Sequence, residues 1–297
     1  METKLLRVFS TMQKPFRSLL YIPGSKERAL EKATTLPADG IIIDLEDAVA
    51  ADEKANAREM VANTLTNRDY GRRSLMVRIN GFDSDWAMDD LARICDVTPD
   101  AILLPKVNTA SDIQRLAGFL DQQDKCADTQ IWAMMESPMC ILNAREIAAA
   151  SPRLRGMVLG TNDLEKDLGA RPRTDRMPMM TSLSICLLAA RAHGLYCVDG
   201  VYNKFQDGET LRLMCEQGRD MGMDGKSLIH PAQIDIANEV FAPSEDDIAL
   251  AYRQMAAFDE AEAKGLGIAV LDGNIVENLH VETARGVLAK AKEIGLI

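Results

Sequence analysis

Two carboxylates in one stretch offer the clearest chemistry in this sequence. In IWAMMESPMCILNAREIAAASPRLRGMVLGTNDLEKDL, Glu136 closes one apolar run and Asp163 follows the next, with one helix-length segment, 138–150, between them. Neighbouring parallel strands lie about 4.8 Å apart, so acids leaving the ends of two such strands reach one hard cation. The ligand distance is about 2.0–2.1 Å when that cation is magnesium. No His or Cys stands beside the pair, so the ligand set is oxygen and favours Mg2+ or Mn2+ over zinc. The structural alternatives are a Glu136 favoured by the dipole of a helix opening at Ser137-Pro138, and an Asp163 that caps the segment 164–168. An ionised acid after an apolar run still needs a partner, and a shared cation answers for both.

Arg78 ends another apolar run, LMVRI, where a guanidinium is costly unless an anion meets it. Its planar fork suits a substrate carboxylate or a developing enolate oxygen; the structural alternative is a bridge to Asp44 or Glu46. Asp44, Glu46 and Asp47 crowd within IDLEDA. Two like charges about 4 Å apart repel by about 4 kcal/mol at an effective dielectric near 20, so at least one of the three has a raised pKa or a cationic partner. They read as groups that orient metal-bound water and Arg78. Lys106, after AILLP, fits an electrophile or an imine-forming lysine, although the metal pair makes an imine unnecessary. His230, in HPAQ, is either a base or a turn histidine. Gly24-Ser25-Lys26 opens a helix with an anion-binding geometry, and Lys32 lies two turns along it; solvated surface is the alternative for both lysines.

These groups need a scaffold that brings strand ends together. Apolar runs at 18–22, 40–44, 75–79, 101–104, 131–135, 156–159, 195–198 and 227–230 alternate with helical patterns such as 26–35, 51–65, 85–95, 111–120, 181–192 and 207–221. Eight strand–helix units in about 240 residues match a TIM (β/α)8 barrel. A doubly wound open sheet shares the alternation, but no Gly-rich dinucleotide fingerprint follows the first strand. Nearly every run ends in polar residues: Pro23-Gly24-Ser25-Lys26, Asp44 to Asp47, Arg78-Ile79-Asn80, Pro105-Lys106, Glu136, Asn162-Asp163, Asp199-Gly200 and His230-Pro231. In a barrel these emerge on the C-terminal face, where the active site is expected. The barrel is assigned to 1–242. A tail, 243–297, reads as helix, hairpin and helix, with Ser244 as N-cap and Asp272-Gly273 as the hairpin turn; it caps its own or a neighbouring active site.

The 297 residues are 47% hydrophobic, enough for one large core or two modest ones, and carry a formal net charge of −11. Such acidity argues against a nucleic-acid or anionic-membrane partner, so an anionic ligand must be received by a local basic patch. Six scattered cysteines with no C-x-x-C pair suggest neither a zinc site nor a disulfide framework. Buried free thiols, no apolar run of about 18 residues and an N-terminus, METKLLRVFSTMQKPFR, without an apolar leader point to the cytoplasm.

The chain of motifs RSLLYIPGS, GIIIDLEDAV, VRINGFD, LLPKV, MMESP, LGTNDL, VDG, GKSLIHPAQ and DGNIVEN resembles the citrate lyase beta-subunit-like family, the HpcH/HpaI aldolase superfamily that includes malyl-CoA and citramalyl-CoA lyases. The resemblance spans almost the whole chain. It implies a TIM barrel, magnesium on Glu136 and Asp163, and Arg78 touching substrate. It also implies CoA-ester contacts around Tyr21-Ile22, Lys26, Lys32 and Ile229-His230, with Asn162 in the substrate-binding set. A homotrimer or dimer of trimers, with the tail over a neighbour's site, is implied too. Two departures stand out. Many members carry an acid/base Asp where this sequence has Glu277, and their E-T-P-x-G motif reads Glu136-Ser137-Pro138-Met139-Cys140 here. Displacing a carboxylate by about an ångström can cost about 100-fold in rate, and Cys140 in place of Gly narrows the space behind the metal.

The reaction so implied is reversible carbon–carbon cleavage of a 3-hydroxyacyl-CoA such as malyl-CoA, giving acetyl-CoA or propionyl-CoA and a 2-oxo acid such as glyoxylate. The ion acts as a Lewis acid and Arg78 steadies the enolate or carboxylate charge. Glu277, with Asp47 as second choice, moves the proton at the thioester alpha carbon. Water reaching the thioester would make the same site a (3S)-malyl-CoA thioesterase. More distant alternatives are a CoA-independent 2-oxo-acid aldolase and a citrate lyase beta-type subunit that needs partners.

Overall fold

Strands that are apolar on both faces need cover on both, which a closed parallel sheet with an outer layer of helices provides. The computed structural model describes residues 14–297; the leader expectation drawn from the residues before Lys14 lies outside them. The strands are β1 (Ser18–Pro23), β2 (Gly40–Asp44), β3 (Ser74–Arg78), β4 (Ala101–Leu104), β5 (Gln130–Met135), β6 (Leu154–Leu159), β7 (Tyr196–Asp199) and β8 (Gly225–Leu228). They pair in chain order, all parallel, and β1 meets β8 to close the barrel. This is the (β/α)8 architecture the alternation predicts.

One buried cluster gathers alternate residues of these strands, including Leu19, Ile42, Met76, Leu103, Trp132, Met134, Val158 and Val198. Phe16 meets Trp132 edge-on at 4.9 Å, and Trp132 stacks on Tyr196 at 5.9 Å. The intervening residues Leu20, Ile43, Val77, Ile102, Ala133 and Met157 are buried as well. Each fully buried aliphatic side chain contributes about 1.5–3 kcal/mol. All six cysteines are free and buried. Register brings strand ends level: Pro23 pairs with Asp44, Asp44 with Arg78, and Met135 with Leu159.

Two elements differ from their sequence patterns. The last strand begins and ends two residues earlier than 227–230, because its backbone pairs Gly225 and Lys226 with Val198 and Asp199, and Lys226 to Leu228 with Ser18 to Leu20. The segment 138–150 is not one helix but two, Pro138–Leu142 and Ala144–Ala148. They break at Asn143 (φ −99, ψ 12), whose side-chain amide donates to Asn108 O at 2.8 Å.

A second compact unit is Val240–Ile297. Ser244 caps the helix Glu245–Ala263, accepting from Asp247 N at 3.0 Å. A two-stranded hairpin, β9 (Ala269–Leu271) and β10 (Asn274–Val276), turns at Asp272-Gly273, both at positive φ, and the helix Asn278–Glu293 follows. Phe258, Ala261, Ala269, Val276 and Val281 form this unit's core. Among the described residues no helix is long and apolar enough to cross a membrane.

Candidate active site

The last residues of β2 and β3, Asp44 and Arg78, form an ion pair at the strand ends. Arg78 Nε and Nη2 donate to Asp44 Oδ1 and Oδ2, both at 2.7 Å. Asp44 also accepts Glu46 N at 2.9 Å and Ala48 N at 3.0 Å, so its carboxylate is fully committed to holding Arg78 and the turn after β2. The guanidinium lies 5.0 Å from the centroid of the Tyr21 ring, a cation–π contact. Burial alone would lower the Arg78 pKa; the hydrogen bonds and charge of Asp44 outweigh it and keep the side chain cationic. Tyr21 donates its OH to Met134 Sδ at 3.2 Å, and burial pushes its phenol pKa up.

Glu46 lies between two cations. Arg78 Nη1 is 3.0 Å from its Oε2 and Lys106 Nζ 3.4 Å from its Oε1, yet neither oxygen has an aligned hydrogen bond. Burial therefore dominates over both cations, and with the neighbouring Asp47 and Glu136 charges it lifts the Glu46 pKa from 4.5 to about 7. The unfolded chain releases this proton near pH 4.5 and the folded chain near 7. The penalty is thus absent below pH 4.5, grows between those values, and is complete above pH 7. Its size is on the order of 3 kcal/mol, the attraction to Arg78 and Lys106 already included. Glu46→Gln is expected to raise Tm at pH 8 and not at pH 4.5, measured without divalent cations; a Tm difference independent of pH would contradict this.

Glu136 follows β5 and is buried, and its Oε1 accepts the Lys106 backbone N–H at 2.6 Å. Lys106 presents that N–H from a left-handed conformation, φ +53, unusual for a residue with a Cβ. Gly160 flanks the carboxylate on the other side. A Cβ there would lie 2.4 Å from Glu136 Cβ and 2.8 Å from Oε2, so only glycine lets β6 end so close. Asp163 is exposed in the first turn of the helix Thr161–Leu168, whose N-cap is Gly160, so it does not serve as the cap. Burial raises the Glu136 pKa and the Asp163 charge adds to it, against the Lys106 N–H and Arg78. Among the described residues no group of three His, Cys, Asp or Glu side chains forms a metal cluster.

A cavity of about 320 Å3 opens here. Its polar lining includes Asp47, Arg78, Asn162, Asp163 and Ser227, and its apolar lining Met134, Leu159 and Ile229. Asn162 and Asn203 exchange side-chain amide hydrogen bonds of 2.9 and 3.3 Å at its edge. A larger groove, about 550 Å3, lies along the outer helices at Glu59, Met60 and Asn63, away from the strand ends.

The remaining predicted residues are placed less centrally. Asp47 is exposed, 3.8 Å from Arg78 Nη1. Ile22 is buried, while Lys26 and Lys32 are exposed on the seven-residue helix Glu27–Ala33 and its N-cap position. His230 spends its Nδ1 on Ala232 N–H at 3.1 Å and stacks on Phe205 at 4.3 Å, as a turn histidine does. Glu277 precedes the helix Asn278–Glu293 in the second unit, its N–H donating to His280 Nδ1 at 3.0 Å. Asp199, which the strand-end pattern places at the mouth, is instead fully buried against Arg176 and Lys226.

Lys54 is a residue the sequence pattern missed. Its buried ammonium donates to Leu45 O at 2.8 Å and Glu46 O at 2.7 Å, shaping the turn that carries the acids. Asn80 Nδ2 supports the same turn through Leu45 O at 3.0 Å. Nothing in the sequence distinguishes this lysine from the solvated face of its helix.

The family described as HpcH/HpaI aldolase/citrate lyase matches residues 17–231. A relative named (3S)-malyl-CoA thioesterase, from Cereibacter sphaeroides, is 60% identical over 280 residues, 94% of this chain and 96% of the relative. The citrate lyase subunit beta of Escherichia coli is 35% identical over 289 residues, 94% of each chain. Among solved structures, CitE from Mycobacterium tuberculosis in complex with magnesium, acetoacetate and coenzyme A superposes with a TM-score of 0.78 at 29% identity, covering 94% of this chain and 98% of that one.

Proposed function

Within the HpcH/HpaI aldolase/citrate lyase family, to which this chain belongs, we propose that it is an enzyme acting on a CoA thioester. The finer assignment is hydrolysis of a malyl-CoA-type 3-hydroxyacyl-CoA to free CoA and the hydroxy acid. The observation that carries this choice is the 60% identity, over nearly the full length of both chains, to a relative named (3S)-malyl-CoA thioesterase. A second reading, carbon–carbon cleavage to acetyl-CoA or propionyl-CoA and a 2-oxo acid, is favoured by the likeness to citrate lyase beta subunits and CitE.

We assign Glu136 and Asp163 to a magnesium ion. The fit rests on the donor set: two carboxylates, one buried and raised in pKa partly by the other, with a hard cation as the natural relief. Two protein ligands also match magnesium's habit of keeping sites for water and substrate oxygens. When bound there, the ion supplies Lewis-acid polarisation of substrate oxygens. Arg78, gripped by Asp44, keeps N–H groups for a substrate carboxylate or for charge developing on the carbonyl oxygen. Asp47 at the cavity and Glu277 on the second unit are the carboxylates we assign to proton movement. Homotrimeric or dimer-of-trimers assembly belongs to the same reading.

The test is product analysis. Incubated with magnesium and (3S)-malyl-CoA, the purified chain is expected to give free CoA and malate by mass spectrometry. Acetyl-CoA with glyoxylate would replace hydrolysis by cleavage, and no conversion would remove the substrate class.

A further inference from the structure

Behind the cavity wall lies a set of buried charges that the proposed chemistry does not use. The Asp199 carboxylate receives Arg176 Nη1 at 2.7 and 2.6 Å, Lys226 Nζ at 2.8 Å and the Gly200 N–H at 2.8 Å. Asp199 and Lys226 have no exposure and Arg176 has 7%. Burial would raise the Asp199 pKa, but Lys226 and Arg176 outweigh it and hold the acid ionised. Two cations on one carboxylate leave a net positive charge out of water. Apolar packing usually stabilises a fold as well as such a set or better, so its use is sought in what it holds.

Arg176 comes from the segment that follows the helix Thr161–Leu168, and it has a left-handed φ of +53. Its Nε donates to Gln217 Oε1 at 2.7 Å, and Gln217 Nε2 donates back to Asp175 O at 2.9 Å. The chain leaving that helix is thereby tied to Asp199. The chain entering it is tied to the next residue: a Cβ on Gly200 would lie 2.4 Å from Thr161 Oγ1 and 2.7 Å from Leu159 O. Ser227, a cavity residue, donates its Oγ to Asp199 O at 3.0 Å. Asp199 thus holds one end of the segment carrying Asn162 and Asp163 through Arg176, Gly200 packs against the other end, and Ser227 ties in the strand beside it.

We propose that Asp199, Arg176 and Lys226 are positioning residues that set where Asp163 presents its carboxylate to a divalent cation. The proposal rests on reading Glu136 and Asp163 as the cation pair. Arg176 acts through the planar spread of its guanidinium, because Nη1 takes both carboxylate oxygens while Nε reaches Gln217, a span an ammonium cannot reproduce.

The test titrates magnesium alone into the full-length chain by calorimetry, with circular dichroism verifying the native fold of every variant. Arg176→Lys keeps the charge and loses that span; Mg2+ affinity is expected to fall about 10–100-fold, as for other groups that orient a metal ligand. Gln217→Ala loosens the same guanidinium without stranding a charge and is expected to weaken binding several-fold; it decides the matter if Arg176→Lys does not fold. Arg17→Lys is the structural control: its fork on Asp39, at 2.8 and 2.9 Å, lies where the strands enter the barrel, and its loss is expected to lower Tm with Mg2+ affinity unchanged. Wild-type affinity in Arg176→Lys, or in Gln217→Ala where that variant decides, overturns the proposal, as does an equal loss in Arg17→Lys. Glu136→Gln separates the premise: if it binds Mg2+ as wild type does, the cation pair itself is wrong, and the positioning role falls with it.

Discussion

Glu136→Gln is expected to abolish magnesium binding and to lower turnover by about 10³-fold at a magnesium concentration that saturates the wild type. A Lewis acid worth several kcal/mol converts to that factor at about 1.4 kcal/mol per tenfold. Glutamine fits the same space, and its amide oxygen can keep the 2.6 Å hydrogen bond from Lys106 N, so the change removes charge more than shape. The folded chain gains from that removal, because burial and Asp163 both oppose the Glu136 charge. Thermal unfolding in a chelator should therefore give a Tm equal to or above wild type. The rise in Tm that magnesium produces in the wild type, as any ligand of the native state does, should disappear. A variant with near-wild-type turnover that is still stabilised by magnesium would remove Glu136 from the cation site.

The barrel was legible because its strands are short apolar runs with polar ends, and GIIID and AILL coincide with β2 and β4 residue for residue. The places of Glu136 and Asp163 in the chain were legible for the same reason: each acid follows a strand, β5 and β6, and these pair side by side in the barrel. Asp199 shows where that reasoning stops. It also ends a strand, but it follows Val198, which belongs to the barrel's inner cluster, so it faces the helices and meets Arg176 and Lys226 there. A polar residue at a strand end reaches the mouth only when its place in the alternation points it inward. Lys54 and Arg176 were illegible for another reason. Each sits in a segment whose charges resemble a solvated face, and their burial follows from tertiary contacts, the most distant of Arg176's being 41 residues away in sequence.

The site divides its charges by task. Asp44 is saturated with donors and anchors Arg78; Glu46 is buried, unaligned and easily protonated; Asp47 and Asp163 are exposed. Crowded acids of one sequence motif thus differ through burial and partners rather than through residue type. Among the acids of that motif, Asp47 alone is exposed, and it meets a ligand without first breaking a buried contact.

Arg78→Lys is the second large expected effect, about 10²–10³-fold in kcat/KM, the range for losing one preorganised donor to developing charge. The fork occupies both oxygens of Asp44 at 2.7 Å while Nη1 lies 3.0 Å from Glu46 and the guanidinium carbon stays 5.0 Å from the Tyr21 centroid. A lysine ammonium is one point charge on a flexible stem and cannot grip Asp44 bidentately while presenting further N–H groups to the cavity. Asp44 would keep its bonds from Glu46 N and Ala48 N, so the turn after β2 should persist and the fold with it. Magnesium affinity, measured on the same protein, is expected to change far less than kcat/KM, because Arg78 acts on the substrate and not on the pair that holds the cation. A loss of less than tenfold in kcat/KM on the CoA thioester would make Arg78 a structural partner of Asp44 and nothing more.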